Sequence, residues 1–412
     1  MRRLHIMTIG CAMLVLWSCC AGAAELQLSG YWKSFLTAVD TGALETDDPP
    51  PAGQATGTLR LAARVRGPVE TEMEAAYELE PRVQDRLFFA EGFAELFGFQ
   101  PSGFRVSDLD RRFYPSSDDS ARSFGLFQNL DRLHLQWRLS WGDLDLGRQA
   151  VAWGMSKAVS PLDFAAPYAF NELDVEERIG VDAARLRIPV GMLSEIDLGY
   201  LAGEDFDADK SGAYLRGRFY VERTDLSVLG AVYRDHLLAG AGMARAAGGA
   251  GIWTEASYTA AKELDDSAAA ERFWRVSAGA DYNFSGVLYA FLEYHYSGAG
   301  TTDPDDYIHQ QAQAAFAGTS VYLLGEHYLS PGASWQLTPL ITADGQFLFN
   351  VGDGSGFAML QGEHNVAQNV YLRAGVYIGF GPGPSLGALG GRLRSEFGAY
   401  PDLAFASFRV YF

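Results

Sequence analysis

The sequence predicts an all-β fold: a transmembrane antiparallel β-barrel of about 18 strands, with 16 as the alternative count, and with long extracellular loops. Three observations predict it. The 412-residue chain ends in an alternating strand whose last residue is aromatic, it opens with an export leader, and between the two it repeats period-two rows of apolar and charged residues.

The leader comes first. Arg2 and Arg3 precede an apolar run from Met7 to Trp17, and Ala21-Gly22-Ala23 offers a small-residue cleavage site, so residues 1–23 are expected to be a signal peptide and 24–412 the barrel. The run is shorter than the roughly 20 residues a membrane helix needs. Lipidation at Cys19 or Cys20 ranks below ordinary cleavage, because bulky Trp17 fits a lipoprotein site poorly. Cys11, Cys19 and Cys20 all leave with the leader, so disulfides, thiolate metal sites and C-x-x-C-H haem attachment are excluded from the mature chain. Loss of Arg2 and Arg3 moves the net charge from −19 to −21, and so acidic a chain argues against nucleic-acid binding. A mean hydropathy near zero suits a barrel, whose two faces cancel.

The strands follow from periodicity. Leu59, Leu61, Ala63 and Val65 alternate with Arg60, Arg64 and Arg66; after a turn at Gly67-Pro68, Val69, Met73, Ala75, Tyr77 and Leu79 alternate with Glu70, Glu72, Glu74, Glu78 and Glu80. An antiparallel hairpin sets the arginine row beside the glutamate row on one surface. A half-buried soluble hairpin looks the same locally. Repetition weighs against it: Leu133 to Leu139 against Arg132, His134 and Arg138; Ile196 to Tyr200 against Glu195 and Asp197; Ala213 to Val221 against Arg216 and Arg218; Trp274 to Tyr282 against Arg275 and Asp281; Val370 to Phe380 against Arg373. Sixteen strands result if the segments near Leu237 to Ala247 or Phe357 to Val366 are loop. Short links at Gly67-Pro68, Trp141-Gly142, Glu222 to Asp225, Ser285-Gly286 and Pro331 to Ser334 alternate with longer polar ones, as periplasmic turns alternate with external loops. Aromatic residues at strand ends, among them Tyr31-Trp32, Trp137, Trp141, Trp253, Trp274, Tyr282 and Tyr411-Phe412, suggest interfacial girdles.

The last strand carries Phe408, Val410 and Phe412 on one face. This ending resembles the signal that the barrel-assembly machinery of Gram-negative bacteria reads on its clients, which implies that machinery and outer-membrane lipid as partners and the bacterial outer membrane as location.

Two connections are too long for hairpins. Pro81 to Leu130 contains Phe88, Phe89, Phe93 and Phe97 in an unusually apolar run, which reads as a short helix packed into the lumen or onto a partner, or equally as a loop on its own rim. The second, Trp153 to Gly180, follows a strand Leu144 to Val151. Across Gly147-Arg148-Gln149, Trp153-Gly154, Ser160-Pro161, Asp163, Pro167, Glu172, Glu176, Gly180-Val181-Asp182, Arg185 and Arg187 the chain resembles outer-membrane porins of metal-reducing deltaproteobacteria, over about a tenth of its length. Some of those porins sheathe multihaem cytochromes. Physically, Pro161 and Pro167 stiffen the connection, and its charged residues suit anchorage on the inner wall as a constriction. Arg148, Trp153 and Asp163 are the candidate residues of that constriction or partner loop.

The inward rows imply water. Arg60, Arg64, Arg66, Arg132, Arg138, Arg216 and Arg218 would each cost about 2–4 kcal/mol in lipid at the bilayer midplane, so with Glu70, Glu72, Glu74 and Glu78 they are expected to line a pore or to pair with one another. The opposed rows resemble the transverse field of general porins. The leading expectation is therefore an outer-membrane porin with a water-filled, charge-lined channel for small polar solutes or ions. The alternative, implied by the resemblance, is a sleeve for periplasmic and surface multihaem cytochromes in electron transfer. No cofactor of the chain's own, no metal pair and no catalytic constellation is expected, since His134, His236, His295, His309, His327 and His364 are scattered and no nucleophile turn accompanies them.

Overall fold

The structure, a computed structural model, describes residues 25–40, 51–67, 69–85, 88, 103–116, 122–168, 170–265, 269–387 and 390–412. The expected signal peptide and Phe89, Phe93 and Phe97 lie outside the described residues. Among the described residues, eighteen strands form the wall. They are β1 (Glu25–Asp40), β2 (Ala52–Arg66), β3 (Thr71–Gln84), β4 (Phe124–Leu139), β5 (Gly142–Gln149), β6 (Val181–Val190), β7 (Ser194–Leu201), β8 (Gly212–Val221) and β9 (Thr224–Tyr233), followed by β10 (His236–Ala247), β11 (Ala250–Ala261), β12 (Glu271–Phe284), β13 (Leu288–Ser297), β14 (His327–Thr338), β15 (Ile341–Asn350), β16 (Gly356–Ala367), β17 (Val370–Phe380) and β18 (Asp402–Tyr411).

Each strand pairs antiparallel with the next, and β18 returns to β1 from Tyr31↔Tyr411 to Asp40↔Asp402, so the sheet closes. Closure is what lets backbone N–H and C=O groups lie in hydrocarbon without an open edge. Both segments left open by periodicity, near Leu237 and near Phe357, are strands, which selects 18 over 16. No helix among the described residues is long and apolar enough to cross a membrane.

Side chains sort by the period of two. Leu28, Leu61, Trp137, Leu215, Trp274 and Leu360 stand exposed on the outer face, while Lys33, Arg60, Glu255, Ser277 and Glu293 of the other register are buried within the barrel. The hairpin of β2 and β3 opposes Arg60 to Glu78, Arg64 to Glu74 and Arg66 to Glu72. One β-bulge refines it: the ladder of β3 with β4 jumps from Ala76↔Arg132 to Tyr77↔Leu130, so Asp131 is the extra residue and is buried inside beside Arg132.

Eight short turns sit at the end that holds Glu25 and Phe412, and nine connections at the other end include every long one. Three sequence expectations need correction here. Pro331 to Ser334 is no link: it lies within β14, where pairing with β15 lapses between Leu329 and Gly332, a position that tolerates a residue without an N–H. Glu70 is no wall residue; with φ 55° it sits in the turn after β2. Trp253, Tyr31 and Tyr411 do not belong to a girdle, because their register points them inward, and Trp253 and Tyr31 are buried there.

Candidate pore constriction

The connection from 150 to 180 folds into the barrel instead of outward. Its first half is apolar: Val151, Trp153, Leu162, Phe164, Ala165 and Ala166 are buried against Leu201, Tyr214, Leu229, Tyr233 and Leu238 of β7 to β10. Phe164 stacks on Trp153 and on Tyr233 with ring centroids 4.9 and 4.5 Å apart. Gly154 makes the entry turn at φ 114°, with Ser160 in the space a Cβ would take.

Two wall carboxylates then catch the loop's free backbone donors. Glu255 of β11 accepts Met155 N at 2.6 Å, Ser156 N at 3.2 Å and the hydroxyls of Ser156 and Ser160 at 2.6 and 2.9 Å. Glu293 of β13 accepts Lys157 N, Ala158 N and Val159 N at 2.7, 3.2 and 2.9 Å, and Trp253 Nε1 at 2.9 Å. Ser277 donates to Val159 O at 2.6 Å. Irregular backbone within a barrel needs such partners, since a buried unpaired group costs as much as a lost hydrogen bond.

The second half is acidic and meets the opposite wall. Asp174 and Glu176 each lie 2.8 Å from Lys33 Nζ, which is fully buried. Arg409 pairs with Glu176 and Glu363, and Tyr411 donates to Glu176 at 2.6 Å. Glu177 reaches Arg132 at 3.4 Å and Arg60 at 3.7 Å; Arg60 also holds Asp131 and, at 2.9 Å, Glu78. Burial would raise Glu176, but Lys33, Tyr411 and Arg409 outweigh it and hold the carboxyl below its usual range. Asp163, wholly buried, is pushed up to about 6 by desolvation, against the pull of its partner Arg178.

A cavity of about 490 Å³ remains beside this half, lined by Thr37, Gln54, Thr56, Glu80, Arg82, Gln128, Glu172 and Asp174 among others. Toward the short-turn end, charge alternates strand by strand: Arg64 and Arg66 on β2, Glu72 and Glu74 on β3, Arg138 on β4 with His134 in the same row, Asp143 and Asp145 on β5, Arg185 and Arg187 on β6, Glu195 and Asp197 on β7, Arg216 and Arg218 on β8. Arg64 pairs with Glu74 at 2.9 Å, Arg187 with Asp145 at 3.0 Å and Arg185 with Asp197 at 2.6 Å. Arg66 and Arg138 lie 3.1 and 3.6 Å from Glu72, and Arg216 and Arg218 make no ion pair among the described residues.

The residues singled out by the sequence divide accordingly. Arg64, Arg66, Glu72, Glu74, Arg138, Arg216 and Arg218 face the interior, whereas Arg60, Arg132 and Glu78 face it but are buried beneath the folded-in loop. Trp153 and Asp163 belong to that loop. Arg148 does not: it stands opposite Leu133 on the outer register, bonded to Asp182. Phe88 is half-buried, its N–H donating to Asp85 O at 3.2 Å. Glu255, Glu293, Lys33 and Arg409 escaped sequence reasoning. Their only signal was a lone charge in an inward row of otherwise uncharged residues, such as Tyr31, Phe35 and Thr37 around Lys33 or Trp253, Ser257 and Thr259 around Glu255. Among the described residues no group of three or more His, Cys, Asp or Glu is placed to hold a metal.

Among the described residues the chain forms a closed 18-strand barrel with an apolar exterior, a charged interior and the connection 150–180 folded into the lumen. Comparison with known proteins agrees at the level of fold. The structure is similar to OprD of Pseudomonas aeruginosa (11% identity, TM-score 0.56, 94% of this chain and 93% of that one). It is similar also to OpdK of Pseudomonas aeruginosa (9%, 0.56, 94% and 98%) and to OccAB1 of Acinetobacter baumannii (10%, 0.53, 94% and 96%). No family model and no curated protein matches the chain. The resemblance to cytochrome-conduit porins is not shown by these similarities.

Proposed function

We propose that the protein is an outer-membrane porin, a diffusive channel for small polar solutes or ions, inserted by the barrel-assembly machinery and bounded by outer-membrane lipid. The observation that carries the reading is the inward fold of 150–180, pinned by Glu255 and Glu293 on one wall and by Lys33, Arg60, Arg132 and Arg409 on the other. A loop so held narrows the lumen without emptying it of water, and the alternating charges of β2 to β8 give permeating solutes fixed partners of both signs. In this reading Arg64, Arg66, Glu72, Glu74, Arg138, Arg216 and Arg218 line the inner mouth, and Arg60, Arg132 and Glu78 brace the narrowing. No catalytic role is assigned to any residue. The cytochrome sleeve finds no support: the chain's own loop occupies the bore that a haem carrier would need.

Reconstitution into a planar bilayer tests the proposal. Stepwise conductance is expected; a silent bilayer from protein that still shifts on gels between boiled and unboiled samples overturns it.

A further inference from the structure

The wall is not built of paired strands all the way round. β4 pairs with β5 only from Leu133 to Leu139, and above that its edge meets a three-residue strand, Arg112–Tyr114, at Arg112↔Phe127 and Tyr114↔Leu126. Residues 103–111 fill the interval up to β6. Side chains take the place of the missing ladder. Arg148 donates to Leu130 O at 2.9 Å and to Ser107 O at 2.8 Å, while Asp182 accepts Val106 N at 2.8 Å and gives its own N–H to Phe104 O at 2.8 Å. Open sheet edges do not persist in hydrocarbon unless their polar groups are met, which accounts for a guanidinium on the outer register.

Cavities flank this segment on both sides. Within lies the 490 Å³ chamber; outside lies an apolar groove of about 330 Å³ lined by Leu130, Leu133, Leu146, Ala184, Tyr200 and Phe206. Leu109 lines both. On the chamber side Arg82, Arg105 and Arg111 gather next to it. Glu80 and Asp108 engage Arg82 and Arg105 at 2.6 and 2.9 Å, yet Arg82 Nε and Arg105 Nη2 are buried with no acceptor. Arg111 is exposed and has no side-chain hydrogen bond or ion pair among the described residues.

We propose that the 103–111 segment is a lateral portal for a single-chain carboxylate amphiphile, whose head sits on Arg82, Arg105 and Arg111 while its hydrocarbon tail passes Leu109 into the outer groove. The spare guanidinium donors beside Leu109 choose the head, since they call for an anionic oxygen although Glu78, Glu80, Asp108, Glu172, Asp174 and Glu177 line the rest of the chamber. The groove chooses the tail, because apolar lining continuous with the lipid-facing rows takes hydrocarbon. A wall held by a few side-chain bonds parts locally at less cost than a continuous ladder. This goes beyond the polar-solute channel, which needs no opening toward lipid.

The full chain in lipid nanodiscs, photolabelled with a diazirine-bearing twelve-carbon fatty acid and mapped by peptide mass spectrometry, tests the portal. Label is expected on Leu109, Leu133, Leu146 and Tyr200, displaced by laurate and spared by butyrate and by dodecylammonium. Ala184→Trp, which fills the groove from its exposed side, is expected to remove this label and leave ion conductance unchanged. Arg111→Gln is expected to weaken laurate competition about tenfold, as losing one charged hydrogen bond does. Label spread evenly round the lipid belt and unmoved by Ala184→Trp overturns the portal, and displacement by dodecylammonium as readily as by laurate overturns the head assignment. Neither outcome touches the conductance that tests the porin reading.

Discussion

Glu293 holds Val159: one carboxylate oxygen accepts the Val159 N–H at 2.9 Å and the Ala158 N–H at 3.2 Å, while the other takes Lys157 N and the Trp253 indole. A wall strand thereby fixes three successive residues of the folded-in loop, and Glu255 fixes the two before them.

Removing both anchors frees the loop while the barrel stays closed. Glu255→Ala with Glu293→Ala is expected to give larger and noisier single-channel steps, each lost charged hydrogen bond costing roughly 1.5–3 kcal/mol. Single-channel recording beside the parent protein decides it; identical traces would mean that other contacts hold the constriction.

Lys33 is fully buried between Asp174 and Glu176, whose side chains are each a third exposed. Breaking a buried pair on one side costs about 3–5 kcal/mol, and the exposure of the acids puts Lys33→Met near the lower end. Denaturant unfolding in detergent checks the loss, and adding Asp174→Asn is expected to recover part of it.

Glu396 ties the loop 381–401 to its neighbours, accepting Leu324 N at 2.8 Å, Asn350 Nδ2 at 2.9 Å and Tyr328 OH at 2.5 Å. Burial raises its carboxyl from 4.5 to about 7, against those three donors. The folded state thus holds the proton more tightly than the unfolded one, so this contribution is full below pH 4.5 and is lost as pH rises through about 7. Amide exchange across 298–326 and 390–401 is expected to quicken between pH 5 and pH 8, once corrected for intrinsic rates. Glu396→Gln should flatten that dependence; an unchanged profile in the variant refutes it.

Phe412 donates its N–H to Gly30 O at 3.0 Å and accepts Gly30 N at 2.8 Å, and its ring lies where a Gly30 Cβ would stand. If Phe408, Val410 and Phe412 serve recognition by the assembly machinery, Phe412→Ala lowers the yield of folded barrel in cells and leaves refolding in detergent intact. Equal losses in both settings would assign Phe412 to closure alone. Gly30→Leu, by crowding Arg60 O and the Phe412 ring, is expected to impair both.

What the sequence determined by itself was the wall. Period-two alternation is a local property of a strand, so Arg60 to Arg66 opposite Glu72 to Glu78 could be paired from spacing alone, while the same signal left the count between 18 and 16 and mistook Pro331 to Ser334 for a link. Only the tertiary structure decided where the irregular chain goes. Whether 150–180 points outward or inward depends on partners a hundred residues away, Glu255 and Glu293, whose acidity says nothing of loops until closure brings them across the lumen. Arg148 teaches the same lesson in reverse. Its charge suggested the interior, but its register faces out, where it satisfies the Leu130 carbonyl on a strand edge beyond the ladder with β5 and the Ser107 carbonyl of the segment beside it.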